Sequence, residues 1–200
     1  MRQQVLLCTG GIGSGKSFVV RALCELGAPA YDCDQAARTL YDRDPELLAA
    51  VVRLTGPDVL DASGRLDRAA LADRIFRDRD LLLQVEALVH PAVLRDFAAW
   101  RAARPEPVVV LESAILLEKP IPPETYDYVL VVTAPEAVRV ARVVARDGVT
   151  EAQVRRRMAA QWSDAERVAR ADFVLENDDR QPLLPALLLI LEKIKEDGKN

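Results

Sequence analysis

Gly10-Gly11-Ile12-Gly13-Ser14-Gly15-Lys16-Ser17 satisfies the pattern G-x-x-x-x-G-K-[ST] without a gap, directly after the apolar run Val5-Leu6-Leu7-Cys8. The chemistry this suits is the binding of a nucleotide's phosphates, which carry several negative charges. Glycines let the chain wrap so that successive backbone N–H groups point inward, and the helix that follows adds its positive end. Lys16 then reaches the outer phosphates, and Ser17 supplies a hydroxyl for Mg²⁺. Gly11, Ile12, Gly13, Ser14, Gly15, Lys16 and Ser17 are therefore the candidate nucleotide-binding residues. The plainer alternative, a glycine-rich turn that happens to precede a helix, has to explain why strand, loop, lysine, serine and helix occur in order. The chain holds 22 Arg and only 5 Lys, and Lys16 is the sole lysine before Lys119, so a mere surface charge here would by habit be arginine. A dinucleotide fingerprint G-x-G-x-x-G fails, because from Gly11 and Gly13 its third glycine falls on Lys16.

A phosphate cradle says nucleotide without saying what is done with it. Asp32 and Asp34, in Ala30-Tyr31-Asp32-Cys33-Asp34, stand just past a strand's C-terminal end, the edge where open α/β sheets bind ligands. A small-molecule kinase needs a base there to receive an acceptor hydroxyl's proton or to fix that hydroxyl in line with the γ-phosphate. The competing role is a helix N-cap for the segment beginning near Gln35. Glu112 closes the run Val108–Leu111, where P-loop enzymes commonly keep an acid for the Mg²⁺ shell; a polar strand terminus is the alternative. Arg139, Arg142 and Arg146, spaced three and four apart, share a helix face. That face is either solvated or the gripping side of a lid whose guanidinium forks hold transferring phosphates. His90, the only histidine, is either a structural hydrogen-bonding residue or a pocket-facing one.

The elements that must position these groups follow from pattern. Val5–Cys8, Val108–Leu111, Val129–Val132, Phe173–Leu175 and a short Ala28–Tyr31 are continuous rather than alternating apolar runs, which suits strands buried on both faces of a parallel sheet. The expected class is α/β, a sheet of five parallel strands flanked by helices. Between Asp32 and Pro107 the strand signal gives way to helical patterns at Gln35–Tyr41, Pro45–Leu54, Arg68–Phe76 and Asp80–Arg104, the last of which Pro91 should interrupt or kink. This block, 33–105, reads as a helical lobe inserted into a nucleotide-binding core of 1–32, 106–138 and 171–200. The segment 139–170 holds eight arginines and no lysine and reads as the lid. Thr150–Gln153 and Ser163–Glu166 are capping boxes that start its helices. An amphipathic helix, Leu183–Lys195, follows.

Composition narrows the field. With 200 residues, 50% hydrophobic and 29% charged, this is a globular chain of one domain with insertions. No stretch approaches the ~18–20 apolar residues of a membrane span, and no signal peptide opens it, so a cytoplasmic protein is expected. Cys8, Cys24 and Cys33 form no C-x-x-C pair, which excludes a disulfide framework or a zinc site. A net charge of −4 argues against a broad nucleic-acid or membrane surface, and no protein partner is indicated.

The accumulated pattern resembles the dephospho-CoA kinase family. The matching elements are Thr9–Ser17, Asp32-Cys33-Asp34 with Ala37-Arg38, Arg74-Ile75-Phe76, His90-Pro91, Leu116-Leu117-Glu118, Arg142 with Arg146-Asp147-Gly148, Gln161, and Ala171–Val174 leading to Asn177. Their order is kept from the first strand nearly to the C-terminus. The resemblance implies a P-loop kinase fold with ATP and Mg²⁺ as cofactors, and transfer of the γ-phosphoryl to the ribose 3′-hydroxyl of dephospho-CoA. It implies that Lys16 steadies the β/γ-phosphates, Asp34 orients or deprotonates the hydroxyl, and Arg142 clamps the phosphates, with Arg146 beside it. It also implies that Asp32, Arg74 and His90 line the acceptor pocket and that Asn177 lies near the base. Phe18 stands where the family usually has Thr, and Arg139 where a Gln is common. Because Ser17 still supplies the metal hydroxyl, Phe18 is expected to serve packing alone.

Two other functions compete. A P-loop kinase acting on a nucleoside monophosphate or small alcohol would share the cradle and differ in the lobe. A nucleotide-dependent switch would need neither the aspartate pair nor the arginine face, and the whole constellation therefore favours a kinase.

Overall fold

Val5, Leu6, Leu7 and Cys8 expose nothing to solvent, which is what a strand with neighbours on both edges and helices on both faces requires. In the computed structural model, which describes residues 2–198, they form β1 (Gln4–Thr9), the centre of a five-stranded sheet. The other strands are β2 (Ala30–Asp32), β3 (Val108–Glu112), β4 (Tyr128–Thr133) and β5 (Phe173–Glu176). Their order is β2-β3-β1-β4-β5 and every pairing is parallel. The chain leaves β1 toward β2 and β3 on one side and later reaches β4 on the other. The loop after β1 thus lies at the switch point where open α/β sheets bind ligands.

That loop runs into α1 (Lys16–Glu25), and α1 packs with α9 (Leu184–Asp197) on one face of the sheet. Val19, Leu23, Leu187, Leu191 and Ile194 meet Leu6, Val110 and Leu130 there, each buried aliphatic contributing ~1.5–3 kcal/mol. After β4 come α6 (Glu136–Asp147), α7 (Glu151–Ala159) and α8 (Asp164–Val168). Both expected capping boxes are formed, Thr150 with Gln153 and Ser163 with Glu166. Hydrogen bonds from the Ser163 hydroxyl and backbone hold the Glu166 carboxyl below the usual carboxylate range.

The chain divides into two compact units, one taking the chain up to Asp32 and from Pro105 onward, the other Cys33–Arg104. The second is helical: α2 (Cys33–Arg43), α3 (Pro45–Thr55), α4 (Arg68–Ile75) and α5 (Arg79–Ala102). Asp44, Asp67 and Asp78 cap three of these through backbone N–H groups.

Two expectations about elements need correction. Pro91 does not interrupt α5, which continues through it for 24 residues. A mid-helix proline costs about 3 kcal/mol. Val85, Val89, Ala92, Val93 and Phe97 are all buried along this helix, which packs against α2 and α3, and their combined burial exceeds that cost. The second strand starts two residues later than the run Ala28–Tyr31 and ends one later, at Asp32, and α2 starts at Cys33 rather than near Gln35. Asp32 therefore ends the strand, and Asp34 stands in the helix's first turn, where an acid suits the positive end of the helix.

Candidate active site

The loop between β1 and α1 is built from close approaches that only glycine permits. Gly13 and Gly15 have φ of +80° and +86°, in the left-handed region. A Cβ on Gly15 would run into the Asn177 side-chain amide, and one on Gly11 into the Arg139 guanidinium. The glycines are therefore set by neighbours that are distant in sequence as well as by the turn itself.

At the first turn of α1, the Lys16 ammonium lies 2.5 Å from Glu112 Oε1, and the Ser17 hydroxyl donates to the same oxygen at 3.0 Å. Glu112 is 8% exposed, at the C-terminal end of β3. Its register partners are Cys8 on β1 and Asp32 on β2, so the exposed Asp32 ends the neighbouring strand at the same level. Lys16, Ser17 and Glu112 are thus brought together from positions 95 and 96 residues apart. Burial pushes the Cys8 thiol up to about 12, so it is a packed apolar group here and no nucleophile. A serine hydroxyl and a carboxylate are hard oxygen donors that fit Mg²⁺. Among the described residues no cluster of three or more His, Cys, Asp or Glu could hold a metal ion.

The arginine face divides. Arg139, 7% exposed, donates from Nε to the Ile12 carbonyl at 2.9 Å and pairs with Asp164 at 2.8 Å. Arg142 donates to the carbonyls of Gly13 (3.3 Å), Ser14 (3.2 Å) and Asn177 (2.9 Å), and pairs with Asp179 at 2.7 Å. Arg146 does not join them: it is exposed and bonded to its neighbour Asp147, whose carboxyl it holds below the usual range. Asn177, buried just past β5, donates its amide to the Ser14 carbonyl at 3.0 Å. Gln161, between α7 and α8, accepts from the Ile12 N–H at 2.9 Å. Behind it, the fully buried Arg167 holds the Trp162 carbonyl at 2.5 Å and Glu118 at 2.7 Å.

Sequence reasoning did not anticipate Asp164 or Asp179, or any role for Gln161, Glu118 and Arg167. Gln161 and Glu118 appeared among the matching elements without a function. Asp179 is the one described non-glycine residue with positive φ, a feature no local sequence pattern announces. Phe18 differs from its expected packing role: it is 55% exposed, beside Arg21, Glu25 and Leu184.

In the helical unit, Arg74 is exposed in the last turn of α4 and approaches Gly56. It lines a cleft of about 450 Å³ with Asp58, Val59, Ala70, Asp73 and Arg77. His90 is half-buried in α5, and Asp34 is exposed on α2.

A parallel sheet with a G-K-S loop at its switch point is shared by many nucleotide enzymes, so the geometry alone fixes only the class. The family model described as dephospho-CoA kinase matches residues 4–182. A dephospho-CoA kinase of Streptomyces avermitilis is 43% identical over 171 residues, covering 85% of this chain and 83% of that protein. One of Aeromonas hydrophila is 38% identical over 190 residues, covering 94% and 93%. A crystal structure from Thermus thermophilus superposes with a TM-score of 0.82 at 36% identity, over 98% of both chains. With the P-loop, the acid of β3 and nearly the full length matched together, this chain belongs to the dephospho-CoA kinase family.

Proposed function

We propose that this chain transfers the γ-phosphoryl of ATP to the ribose 3′-hydroxyl of dephospho-CoA, with Lys16, Ser17, Glu112 and Asp34 as its central residues. The observation that carries the phosphoryl transfer is the convergence of Lys16 and Ser17 on Glu112 at the carboxyl ends of β1 and β3, beside the glycine cradle, and membership of the family supports the acceptor. Ser17 and Glu112 would hold Mg²⁺, which when bound neutralises charge on the β- and γ-phosphate oxygens. Lys16 exchanges its carboxylate partner for the outer phosphates and meets the charge that shifts during transfer.

Asp34 takes or orients the acceptor hydroxyl's proton, and Asp32, ending β2 level with Glu112, supports the acceptor side. Arg74 and His90 contribute acceptor contacts from the helical unit. Arg142 fixes a guanidinium charge on the loop's flank, and the exposed Arg146, one turn on, is the arginine left to meet incoming nucleotide. Asn177 completes the nucleotide side. Of the segment 139–170, expected as the lid, Arg139, Arg142 and Gln161 are tied to the loop, so the exposed stretch from Arg146 through α7 is the part left to close over nucleotide.

One assay tests the whole assignment: ATP consumption with dephospho-CoA against adenosine, AMP and pantetheine. Dephospho-CoA is expected to react far faster, since binding energy from the remote arm positions the ribose. The new phosphate is expected on the 3′-oxygen alone by mass spectrometry. Comparable rates on AMP, or a product carrying a new diphosphate, would overturn it. Asp34→Asn should lower kcat with little change in acceptor KM, and Asp32→Asn should be milder.

A further inference from the structure

Three consecutive carbonyls of the phosphate loop each accept a hydrogen bond from a side chain far away in sequence. Arg139 Nε takes Ile12 O at 2.9 Å, Arg142 takes Gly13 O at 3.3 Å and Ser14 O at 3.2 Å, and the Asn177 amide also takes Ser14 O at 3.0 Å. The Ile12 N–H is held in turn by Gln161 at 2.9 Å.

A trans peptide is planar, with its carbonyl and the following N–H pointing in opposite directions. Fixing the carbonyls of Ile12 and Ser14 therefore turns the N–H groups of Gly13 and Gly15 to the other side. Those are the two left-handed glycines of the loop, at φ +80° and +86°. Glycine visits both signs of φ with similar ease, so a loop of four glycines in six residues has several peptide orientations open to it. Ordering it only when phosphate arrives would cost affinity, whereas donors fixed beforehand do not reorganise. The braces are themselves anchored. Arg139 is buried against Asp164, Arg142 pairs with Asp179, and the segment carrying Gln161 is latched by the buried Arg167–Glu118 pair.

We infer that Arg139, Arg142, Asn177 and Gln161 are positioning residues that lock the peptide orientations of the phosphate loop, presetting its inward N–H groups for the β- and γ-phosphates. This rests on the nucleotide site proposed above. It gives Asn177 a part independent of the base, and Arg142 a part that needs no direct grip on phosphate.

The test compares Asn177→Ala and Gln161→Met with the unaltered full chain, measuring calorimetric binding of Mg·tripolyphosphate, Mg·ATP and Mg·GTP. Each variant should weaken tripolyphosphate and ATP by the same factor, about fivefold to tenfold for one lost hydrogen bond. The ATP-to-GTP ratio and the KM for dephospho-CoA should stay where they were. In Gln161→Met the Ile12 amide, which loses its acceptor, should exchange hydrogen faster before any ligand is added, while the sheet amides keep their protection. Gln161→Glu, which keeps the acceptor for the Ile12 N–H, should restore that amide's slow hydrogen exchange, and part of the binding, since its added charge opposes polyphosphate. Should Asn177→Ala fail to fold, Gln161→Met, at a half-buried site, carries the test with its Glu rescue. Unchanged tripolyphosphate binding in the folded variants would overturn the inference. A collapse of the ATP-to-GTP ratio in Asn177→Ala with tripolyphosphate binding intact would do the same and make Asn177 a base contact. Failure of the kinase assignment shows separately, in an unaltered protein that binds tripolyphosphate and leaves dephospho-CoA unphosphorylated.

Discussion

Lys16 and Glu112 form the closest charge pair of the site, and its meaning depends on what each gains by separating. A largely buried pair adds little net stability, because desolvation offsets most of the attraction. The arrangement is better explained by the next step. On the proposed function, the ammonium would exchange to phosphate oxygens, and the carboxylate, already sharing Ser17's hydroxyl, would be left to a metal ion. Lys16→Ala should therefore lower turnover by about 10²–10³-fold. Circular dichroism should find the fold intact; near-normal turnover in the folded variant would remove Lys16 from the mechanism. Glu112→Gln keeps shape and loses charge, so its signature should be in metal demand. The Mg²⁺ concentration for half-maximal rate should rise on the order of 10-fold, whereas a mere strand terminus would leave that titration unmoved.

Among the elements, α8 shows how a five-residue helix is made to brace the loop after β1, through Asp164 on Arg139. Its propensity is negligible at that length, so it depends on the Ser163–Glu166 box at its start and on Arg167 beneath it. Arg167 exposes nothing, and its guanidinium is held by Trp162 O, Glu118 and, at 3.6 Å, Asp164. Arg167→Met should cost about 3–5 kcal/mol, because it leaves the Glu118 carboxylate largely buried and unpaired. Adding Glu118→Leu removes the orphaned charge and should recover most of the loss. Urea melts of the single and double variants check this. A double variant as unstable as the single would mean that the Trp162 peptide, whose carbonyl Arg167 holds and whose N–H donates to Glu118 at 3.3 Å, rather than the ion pair, is the anchor.

At the scale of the whole molecule, the residues proposed for nucleotide and for acceptor fall in different compact units. The cradle, Glu112, the α6 arginines and Asn177 belong to the sheet unit, while Asp34, Arg74 and His90 belong to the helical one. That division predicts separable kinetic effects. Arg74→Ala and His90→Ala should raise the KM for dephospho-CoA several-fold and leave the KM for ATP where it was. Equal damage to both constants would argue that the helical unit serves nucleotide binding as well. No helix among the described residues is long and apolar enough to cross a membrane.

How much of this was legible beforehand follows from the range of each interaction. The P-loop is contiguous, so its chemistry can be read in eight letters. Strands buried on both faces announce themselves as unbroken apolar runs, and capping boxes as pairs three residues apart, because each is a local constraint. The family was legible for the same reason, as short motifs in fixed order. What only the tertiary structure decided lies in contacts across 95 to 163 residues: Glu112 on Lys16 and Ser17, Gln161 and Arg139 on Ile12, Asn177 on Ser14. Helical spacing could place Arg139, Arg142 and Arg146 on one face, but burial against the loop selected the first two and left the third in solvent. Likewise Pro91 signals a break by its own chemistry, and only the packing of α5 against α2 and α3 overrules it. Local rules specify which groups are present; the energy of long-range burial decides which of them meet.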